Sequence, residues 1–148
     1  MADTPVIQNR RARHEYELLD KVEAGIELQG TEVKSLRAGK VNLAEAFVAV
    51  DEGGLQLLNC HIAPYEHGGY ANHDPTRPRR LLLHKNEIAK FKKGVEQKGL
   101  TIVPLRIYFR KGWAKVEIAL ARGKKLHDKR HDIAERETKR RLDRMMKE

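Results

Sequence analysis

Residues 103–120 read VPLRIYFRKGWAKVEIAL, and this stretch decides the fold that we expect. Apolar side chains alternate with others on both sides of Lys111 and Gly112, which is the period of strands that bury one face. A Lys-Gly pair between two such runs can close a tight turn. The stretch therefore predicts a β-hairpin, in which Pro104 must lie at an edge or a bulge because proline has no backbone N–H.

Similar patterns precede this hairpin along the chain. The segment 22–28, VEAGIEL, has the same period of two and places Glu23 and Glu27 on one outer face. The apolar runs 41–50 and 55–65, joined by Asp-Glu-Gly-Gly, predict a second hairpin. Five or six such strands favour a mainly β fold, a small closed barrel of the oligonucleotide-binding kind.

Two or three short helices are expected beside the strands. Thr31 can cap a helix that ends before Gly39. Ile88, Phe91 and Val95 form the apolar stripe of a second helix, which ends at Gly99. The Gly and Pro residues of 66–80 predict a loop between them.

The character of the chain changes after residue 121. Residues 122–148 contain eleven Lys or Arg against six Asp or Glu, and only five sizeable apolar side chains. So few apolar groups cannot offset roughly 1 to 2 kcal/mol per residue of backbone ordering. We therefore expect a barrel domain over 1–121 and a basic tail over 122–148 that is disordered in isolation.

The charge of the chain indicates its class of partner. The net charge is +9 and the isoelectric point is near 9.8, which favours nucleic acid. No apolar run reaches ~18 residues, and the first eight residues lack the basic and apolar regions of a signal peptide, so we expect no membrane span, lipid anchor or secretion signal. Cys60 is the single cysteine, so no internal disulfide can form. We expect a monomer of the reducing cytoplasm.

Basic groups fall into three segments that could contact phosphates. On the predicted hairpin, cations with a possible stacking ring share outward faces, although a solvated sheet surface would look the same. The basic residues of an N-terminal run and of the Pro-containing loop could likewise either contact phosphates or simply be solvated. The loop arginines are expected to add only nonspecific affinity. The hairpin residues are Arg106, Tyr108, Arg110 and Lys115, the N-terminal residues are Arg10, Arg11, Arg13 and His14, and the loop residues are Arg77, Arg79 and Arg80.

Catalytic and metal sites find little support. His127, Asp128 and Lys129 could serve a ribonuclease, but consecutive side chains do not face one another on a helix. Cys60 and its neighbouring histidines lack the spacing of a zinc site. The Gly-Lys-Lys at 123–125 lacks the upstream glycines of a phosphate-binding loop. We expect no catalytic residue, no metal and no cofactor.

Four blocks of the sequence resemble a known family, in the same order. They are NRRARHEYELLD at 9–20, EAGIELQGTEVKSLRAGKVNL at 23–43, DPTRPRRLLLHKNEI at 74–88 and LARGKKLHDKRHDIAERE at 120–137. The chain is therefore similar to the SsrA-binding proteins, also called small protein B. This resemblance implies an oligonucleotide-binding-fold barrel without catalytic activity. It also implies two partners: the tRNA-like domain of transfer-messenger RNA, and the ribosome stalled on a broken message.

The resemblance also implies site residues on the barrel, namely Asn9, Glu23, Leu82, His84 and Lys115. Lys115 is indicated by the alternation as well. Because a carboxylate repels phosphate, Glu23 would accept hydrogen bonds from base amino groups or orient a neighbouring arginine. From the sequence alone, Glu23 could equally be a solvated strand residue and Leu82 an ordinary core residue.

For the tail, the resemblance implies a site in the empty messenger channel of the decoding centre. Lysines and arginines would contact phosphates, His127 would stack, and Asp128 would accept hydrogen bonds or orient its neighbours. A helix over 133–146 would place Leu142 and the two methionines on one face. The implied residues are Gly123, Lys124, Lys125, His127, Asp128, Lys129, Arg130, Met145 and Met146.

Two alternatives to this adaptor function stay open at this point. One is a generic ribosome-associated translation factor with an oligonucleotide-binding fold, and the other is a ribonuclease. A purely electrostatic tail would tolerate scrambling, whereas GKKLHDKR at 123–130 followed by the Met145–Met146 pair indicates a specified sequence. The RNA that copurifies with the protein would distinguish these functions.

Overall fold

The computed structural model describes residues 5–69 and 72–123. Within these ranges it contains nine strands and three helices. The strands are β1 (Ile7–Gln8), β2 (Tyr16–Ile26), β3 (Val41–Asn42), β4 (Phe47–Asp51), β5 (Gly54–Leu58), β6 (His61–Ile62), β7 (Arg79–Leu82), β8 (Thr101–Arg110) and β9 (Trp113–Gly123). The helices are α1 (Arg10–Glu15), α2 (Gly30–Arg37) and α3 (Lys85–Lys98).

Six of the strands close into a barrel. Their order is β8-β4-β5-β7-β2-β9, and β9 pairs back onto β8, so that the ring has no free edge between them. All the pairings are antiparallel, and β1 adds to β8 outside the ring. The expected mainly β barrel with short helices is therefore confirmed.

The hairpin at 103–120 is also confirmed. Lys111 and Gly112 both have positive φ angles, 52° and 80°, as a tight two-residue turn requires. The register of β8 against β9 shifts between Pro104 and Arg106, so the proline lies at a bulge as expected. Strand β9 continues through Gly123, which pairs with Tyr16. The two residues after 121 therefore belong to this strand, because the long β2 supplies a partner for them.

The second predicted hairpin is only partly correct. Strands β4 and β5 form a hairpin around the turn from Asp51 to Gly54. The outer parts of the two apolar runs pair separately as the small sheet of β3 and β6. The break arises because Asn59 adopts a left-handed conformation with φ 56°, and because a turn between Leu43 and Ala46 redirects the other strand.

Helix α2 begins differently from the prediction. Gln29, not Thr31, is its N-cap, and the Glu32 carboxylate accepts a hydrogen bond from the Gln29 N–H at 2.8 Å. The Thr31 hydroxyl instead lies 2.8 Å from Nδ1 of the buried His73. The expected cap was therefore wrong, because the Thr31 side chain hydrogen-bonds to the loop rather than to its own helix.

Helix α3 packs closely against the barrel. It ends at Gly99 with a left-handed φ of 64°, as predicted. Gly94 within the helix allows this approach, since a Cβ at that position would lie 2.9 Å from a methyl group of Leu120. The glycine therefore lowers helix propensity but permits the packing of α3 on β9.

A buried ion network joins α2 to β7. Glu32 and Arg79 are both fully buried, and the two Glu32 oxygens accept hydrogen bonds from Arg79 and Arg77. Arg79 also donates to the carbonyl of Cys60 at 2.6 Å. The expectation that the loop arginines contact phosphate is wrong for Arg79. It closes the loop against the core instead, and Arg80 pairs with Asp51 at 2.9 Å.

Candidate nucleic-acid interface

Four strands contribute to one continuous surface of the barrel, which we call the outer face. The register pairs Leu82 of β7 with Gly25 of β2, Gly25 with Lys115 of β9, and Lys115 with Tyr108 of β8. Because paired residues of antiparallel strands point to the same side, these four positions form a row across the barrel. The adjacent rows of the outer face hold Glu23, Glu117 and Arg106 on one side, and Arg110 and Trp113 on the other.

A groove of about 420 Å³ lies over this row. It is lined by four of the residues implied by the resemblance, Glu23, Leu82, His84 and Lys115, together with Gly25. Leu82 is 52% exposed whereas its neighbour Leu81 is buried, so Leu82 is not a core residue. A Cβ at Gly25 would lie 3.2 Å from that of Leu82, so the glycine leaves the floor of the groove open. The structure thus brings these predicted residues together.

Glu23 is the electrostatic centre of the outer face. Its carboxylate accepts a hydrogen bond from the Tyr108 hydroxyl and a charged one from Arg110 Nη1 at 3.2 Å. These contacts, led by the Tyr108 hydrogen bond and supported by the charge of Lys115, hold the pKa of Glu23 below its usual value. Burial and the same carboxylate raise the pKa of Tyr108 to about 12. Both groups therefore keep fixed protonation states near neutral pH.

Arg106 extends this arrangement along β8. Its guanidinium lies 5.0 Å from the centre of the Tyr108 ring and 3.5 Å from a Glu117 oxygen. Its Nε is buried and finds no hydrogen-bond partner within the described residues. The side chain is nevertheless 42% exposed, so its outer nitrogens remain available to a ligand. The outer face thus combines cations, a planar ring and a fixed acceptor.

His84 lies at the end of the groove, immediately before α3. Its backbone N–H donates to the Glu87 carboxylate at 3.1 Å, which fixes the first turn of the helix. The imidazole is exposed, and it faces the same space as Lys115. His84 can therefore offer a ring or a hydrogen-bonding nitrogen to a ligand on the outer face.

Asn9 lies elsewhere and has structural contacts. It is the N-cap of α1: its side-chain oxygen accepts from the Ala12 N–H at 3.2 Å, and its side-chain nitrogen donates to the Pro104 carbonyl at 2.9 Å. The residue is buried. Both ends of its amide are therefore engaged in anchoring α1 to the bulge of β8.

Helix α1 carries the other predicted basic residues. Arg11 forms ion pairs of 2.8 Å with both Glu15 and Glu45, and both Arg11 and Arg13 are exposed. The helix leads directly into Tyr16, seven residues before Glu23 on β2, and this places it about 20 Å from the centre of the outer face. The structure does not bring Arg11 and Arg13 into the groove.

The sequence prediction overlooked three residues of the outer face, namely Gly25, Trp113 and Glu117, the last of which pairs with Glu23 and Arg106. Trp113 is 73% exposed and lies two residues before Lys115 on the same side of β9. Gly25 forms the floor described above. The alternation of the second strand of the hairpin indicates Trp113 as an outward residue, because it lies two positions before Lys115, when the strand is taken to begin directly after the turn. Nothing in the sequence distinguishes Gly25 from a glycine at a bend.

Of the nine residues implied for the tail, only the first lies within the residues that the structure describes. Gly123 is the exposed last residue of β9, and the other eight, from Lys124 to Met146, lie outside the described residues. No group of acidic, histidine and cysteine side chains in 5–69 and 72–123 could hold a metal ion. Within the same ranges, no helix combines the length and hydropathy needed to cross a membrane.

Known proteins resemble this chain along its whole length. An SsrA-binding protein of Pelotomaculum thermopropionicum is 54% identical over 148 residues, which cover 100% of this chain and 97% of that protein. That of Desulforamulus reducens is 56% identical over 97% of this chain and 89% of its own. A chain in the solved structure described as "tmRNA-SmpB: a journey to the center of the bacterial ribosome" is 61% identical and superimposes with a TM-score of 0.69. The superposition covers 82% of this chain and 85% of that one.

The family assignment rests on an independent comparison as well as on these relatives. The model of the SmpB protein family matches residues 6–148, which includes both the barrel and the segment after β9. The four sequence blocks that suggested the resemblance all lie within this match. The chain belongs to the SmpB protein family.

Proposed function

We propose that this chain is the RNA-binding adaptor of trans-translation. It binds the tRNA-like domain of transfer-messenger RNA and delivers it to ribosomes stalled on broken messages, so that they are rescued and the nascent peptide is tagged. It acts in the cytoplasm and has no catalytic activity of its own. The observation that carries the proposal is the groove lined by Glu23, Leu82, His84 and Lys115, in a chain of the SmpB family.

The chemistry of the outer face suits folded RNA with unstacked loop bases. Lys115 and Arg106 supply cations for phosphates, while Tyr108 presents a ring. Leu82 gives an apolar contact that a base or ribose can cover. Glu23 holds Tyr108 and Arg110 in place and keeps one negative acceptor for base amino groups.

Residues away from the groove act differently within this proposal. Asn9 supports binding by fixing α1 to β8 rather than by contacting RNA, since its amide is already engaged. Arg11 and Arg13 lie at the end of β2 where β9 reaches Gly123, and they contact RNA phosphates outside the groove. The basic segment that follows β9, residues 124–148, becomes helical on the ribosome, contacts ribosomal RNA at the decoding centre and probes the empty messenger channel.

Substitution of Lys115 by alanine tests the groove. We expect an affinity loss of about 1 to 3 kcal/mol for the tRNA-like RNA, roughly five- to 150-fold, because a cation at the centre of the row is removed. The loss should shrink as salt is raised. Fluorescence anisotropy of labelled RNA measures both effects.

The matched control for this prediction is Lys98→Ala. Lys98 is exposed at the other end of α3 from His84, and its removal lowers the net charge equally. We expect its affinity to stay within about twofold of the parent protein. Equal losses in the two variants would mean that only net charge matters, and this would remove Lys115 from a specific site.

Substitution of Glu23 by glutamine separates specific contacts from electrostatics. The change keeps the shape of the side chain but weakens its hold on Tyr108 and Arg110, so we expect about tenfold weaker binding of the tRNA-like RNA. Pure electrostatics predicts tighter binding instead, because the protein becomes more positive. Glu52→Gln, in the exposed β4–β5 turn, makes the same charge change and should not weaken binding. Tighter binding by Glu23→Gln would contradict the specific role.

A further inference from the structure

Trp113 is the only tryptophan of the chain, and it is the most exposed large apolar side chain in the described residues. It follows the tight turn at Lys111 and Gly112 and pairs with Arg110 across the hairpin. With 73% of its surface exposed, the indole contributes little to the packing of the core. Its backbone is nevertheless fixed, because Trp113 is the first residue of a long paired strand.

A second groove, of about 400 Å³, lies beside this indole. It is lined mainly by apolar groups, among them Trp113, Leu82 and Phe109, and it shares Leu82, Gly25 and Lys115 with the groove described above. Trp113 therefore stands at the rim of a surface that continues into the proposed RNA site.

Charge around the second groove favours an anionic partner. Arg37 lies 4.8 Å over the Phe109 ring, Arg110 pairs with Trp113, and Lys115 lines the floor. Glu27 is the acidic side chain of this groove, and it can accept a hydrogen bond from the amino group of a base. An aromatic face bordered by cations is the arrangement on which single-stranded bases stack.

The size of the patch distinguishes a base from a protein partner. A stable protein interface buries about 800 Å² on each side. The exposed parts of Trp113, Leu82 and Phe109 amount to on the order of 300 Å², which matches one or two nucleobases. Gly112 also lines this groove, and a Cβ at that position would meet no atom within 4 Å apart from its chain neighbours, so the space beside the turn is open.

We propose that Trp113 is a base-stacking residue: its indole, with Leu82 beside it, receives an unpaired base of the bound RNA at the edge of the groove over Gly25. This inference rests on the proposed function and adds to it a second subsite, specific for an unstacked base rather than for phosphate. Lys115 and Arg110 contact the backbone on either side of that base.

The fluorescence of the single tryptophan tests the subsite directly in the full chain. On titration with the tRNA-like fragment of transfer-messenger RNA, we expect the Trp113 emission to be quenched by about half and its accessibility to acrylamide to fall severalfold. Trp113→Phe, which keeps a stacking ring, should bind the fragment within about twofold of the parent protein. Trp113→Ala should bind about tenfold more weakly, within the range for loss of one stacked base. Anisotropy of labelled RNA measures these affinities independently of the indole.

Phe47→Ala provides the matched control, since Phe47 is a 40% exposed aromatic residue in a different pocket, beside Ala12 and Glu45. The affinity of the Phe47→Ala variant for the tRNA-like fragment should equal that of the parent protein. RNA binding with unaltered Trp113 emission would overturn the stacking subsite and leave the proposed function standing. An emission change that requires ribosomal protein rather than RNA would also overturn it. Absence of RNA binding by the parent protein would overturn both proposals.

Discussion

Replacement of Glu32 by glutamine should lower the free energy of unfolding by about 3 to 5 kcal/mol. Glu32 is fully buried, and its carboxylate accepts hydrogen bonds from Arg77, Arg79 and the Gln29 N–H. Glutamine keeps the size of the side chain but leaves the buried Arg79 guanidinium without a counter-ion. Urea denaturation followed by circular dichroism would measure the change.

The free energy of unfolding at acidic pH provides a second measurement of the network around Glu32. Burial by itself would raise the pKa of Glu32, but hydrogen bonds from Arg77, the Gln29 N–H and Arg79 hold it below the usual value. A lowered pKa in the folded state gives stability that is complete above about pH 4.3, the value of an unperturbed glutamate, and is lost as the pH falls through the folded pKa. Glu32→Gln should therefore flatten the stability profile below pH 5.

The matched control for Glu32 is Asp51→Asn. Asp51 also pairs with an arginine, Arg80, at 2.9 Å, but both side chains are partly exposed. Exposed pairs contribute about 0 to 1 kcal/mol, so we expect a change in the free energy of unfolding below about 1 kcal/mol. Similar small effects in both variants would contradict a structural role for the buried network. Failure of Glu32→Gln to fold, with Arg77→Lys destabilised by a smaller, measurable amount, would support it.

The parts of the fold that could be predicted are those with local signals. The hairpin of β8 and β9 follows from alternation around one turn, which is visible in eighteen consecutive residues. The burial of Arg79 could not be read in this way, because its partner Glu32 lies 47 residues earlier in the chain. Arginine in a loop with glycine and proline has the same local pattern whether it is solvated or buried. Only the tertiary contact separates the two cases.

In the candidate site, too, some residues have a local sequence signal and others depend on tertiary contacts. Lys115, Tyr108 and Arg106 could be placed on an outward face from their spacing alone. Glu23 and Leu82 came from the family resemblance, because a carboxylate and a leucine give no local indication of RNA binding. Their proximity depends on the pairing of β7 and β9 with β2, which no local pattern specifies. Gly25 and Trp113 became apparent only when that register was known.

The tail gives the second large expected effect. Replacing Asp128, Lys129 and Arg130 together with alanine should leave binding of the isolated tRNA-like RNA within about twofold, because the groove of the outer face is untouched. Three contacts of about 1 kcal/mol each amount to roughly a hundredfold. We therefore expect tagging on stalled ribosomes to fall by at least that factor in a reconstituted translation reaction that uses a message without a stop codon.

The reach of the tail and a charge-matched control variant distinguish a specific ribosomal contact from an effect of charge. The 25 residues of 124–148, which follow β9, span at most about 90 Å when extended and about 40 Å when helical, so the tail can reach a site distant from the docked barrel. Asp143, Arg144 and Lys147, replaced together by alanine, change the net charge identically but lie outside GKKLHDKR. This control should lose less than about threefold. Equal losses would indicate a tail that acts by charge alone, and full tagging by the first variant would contradict the proposed contact with the decoding centre. A loss confined to that variant, with RNA binding intact, is the result that only a sequence-specific ribosomal contact explains.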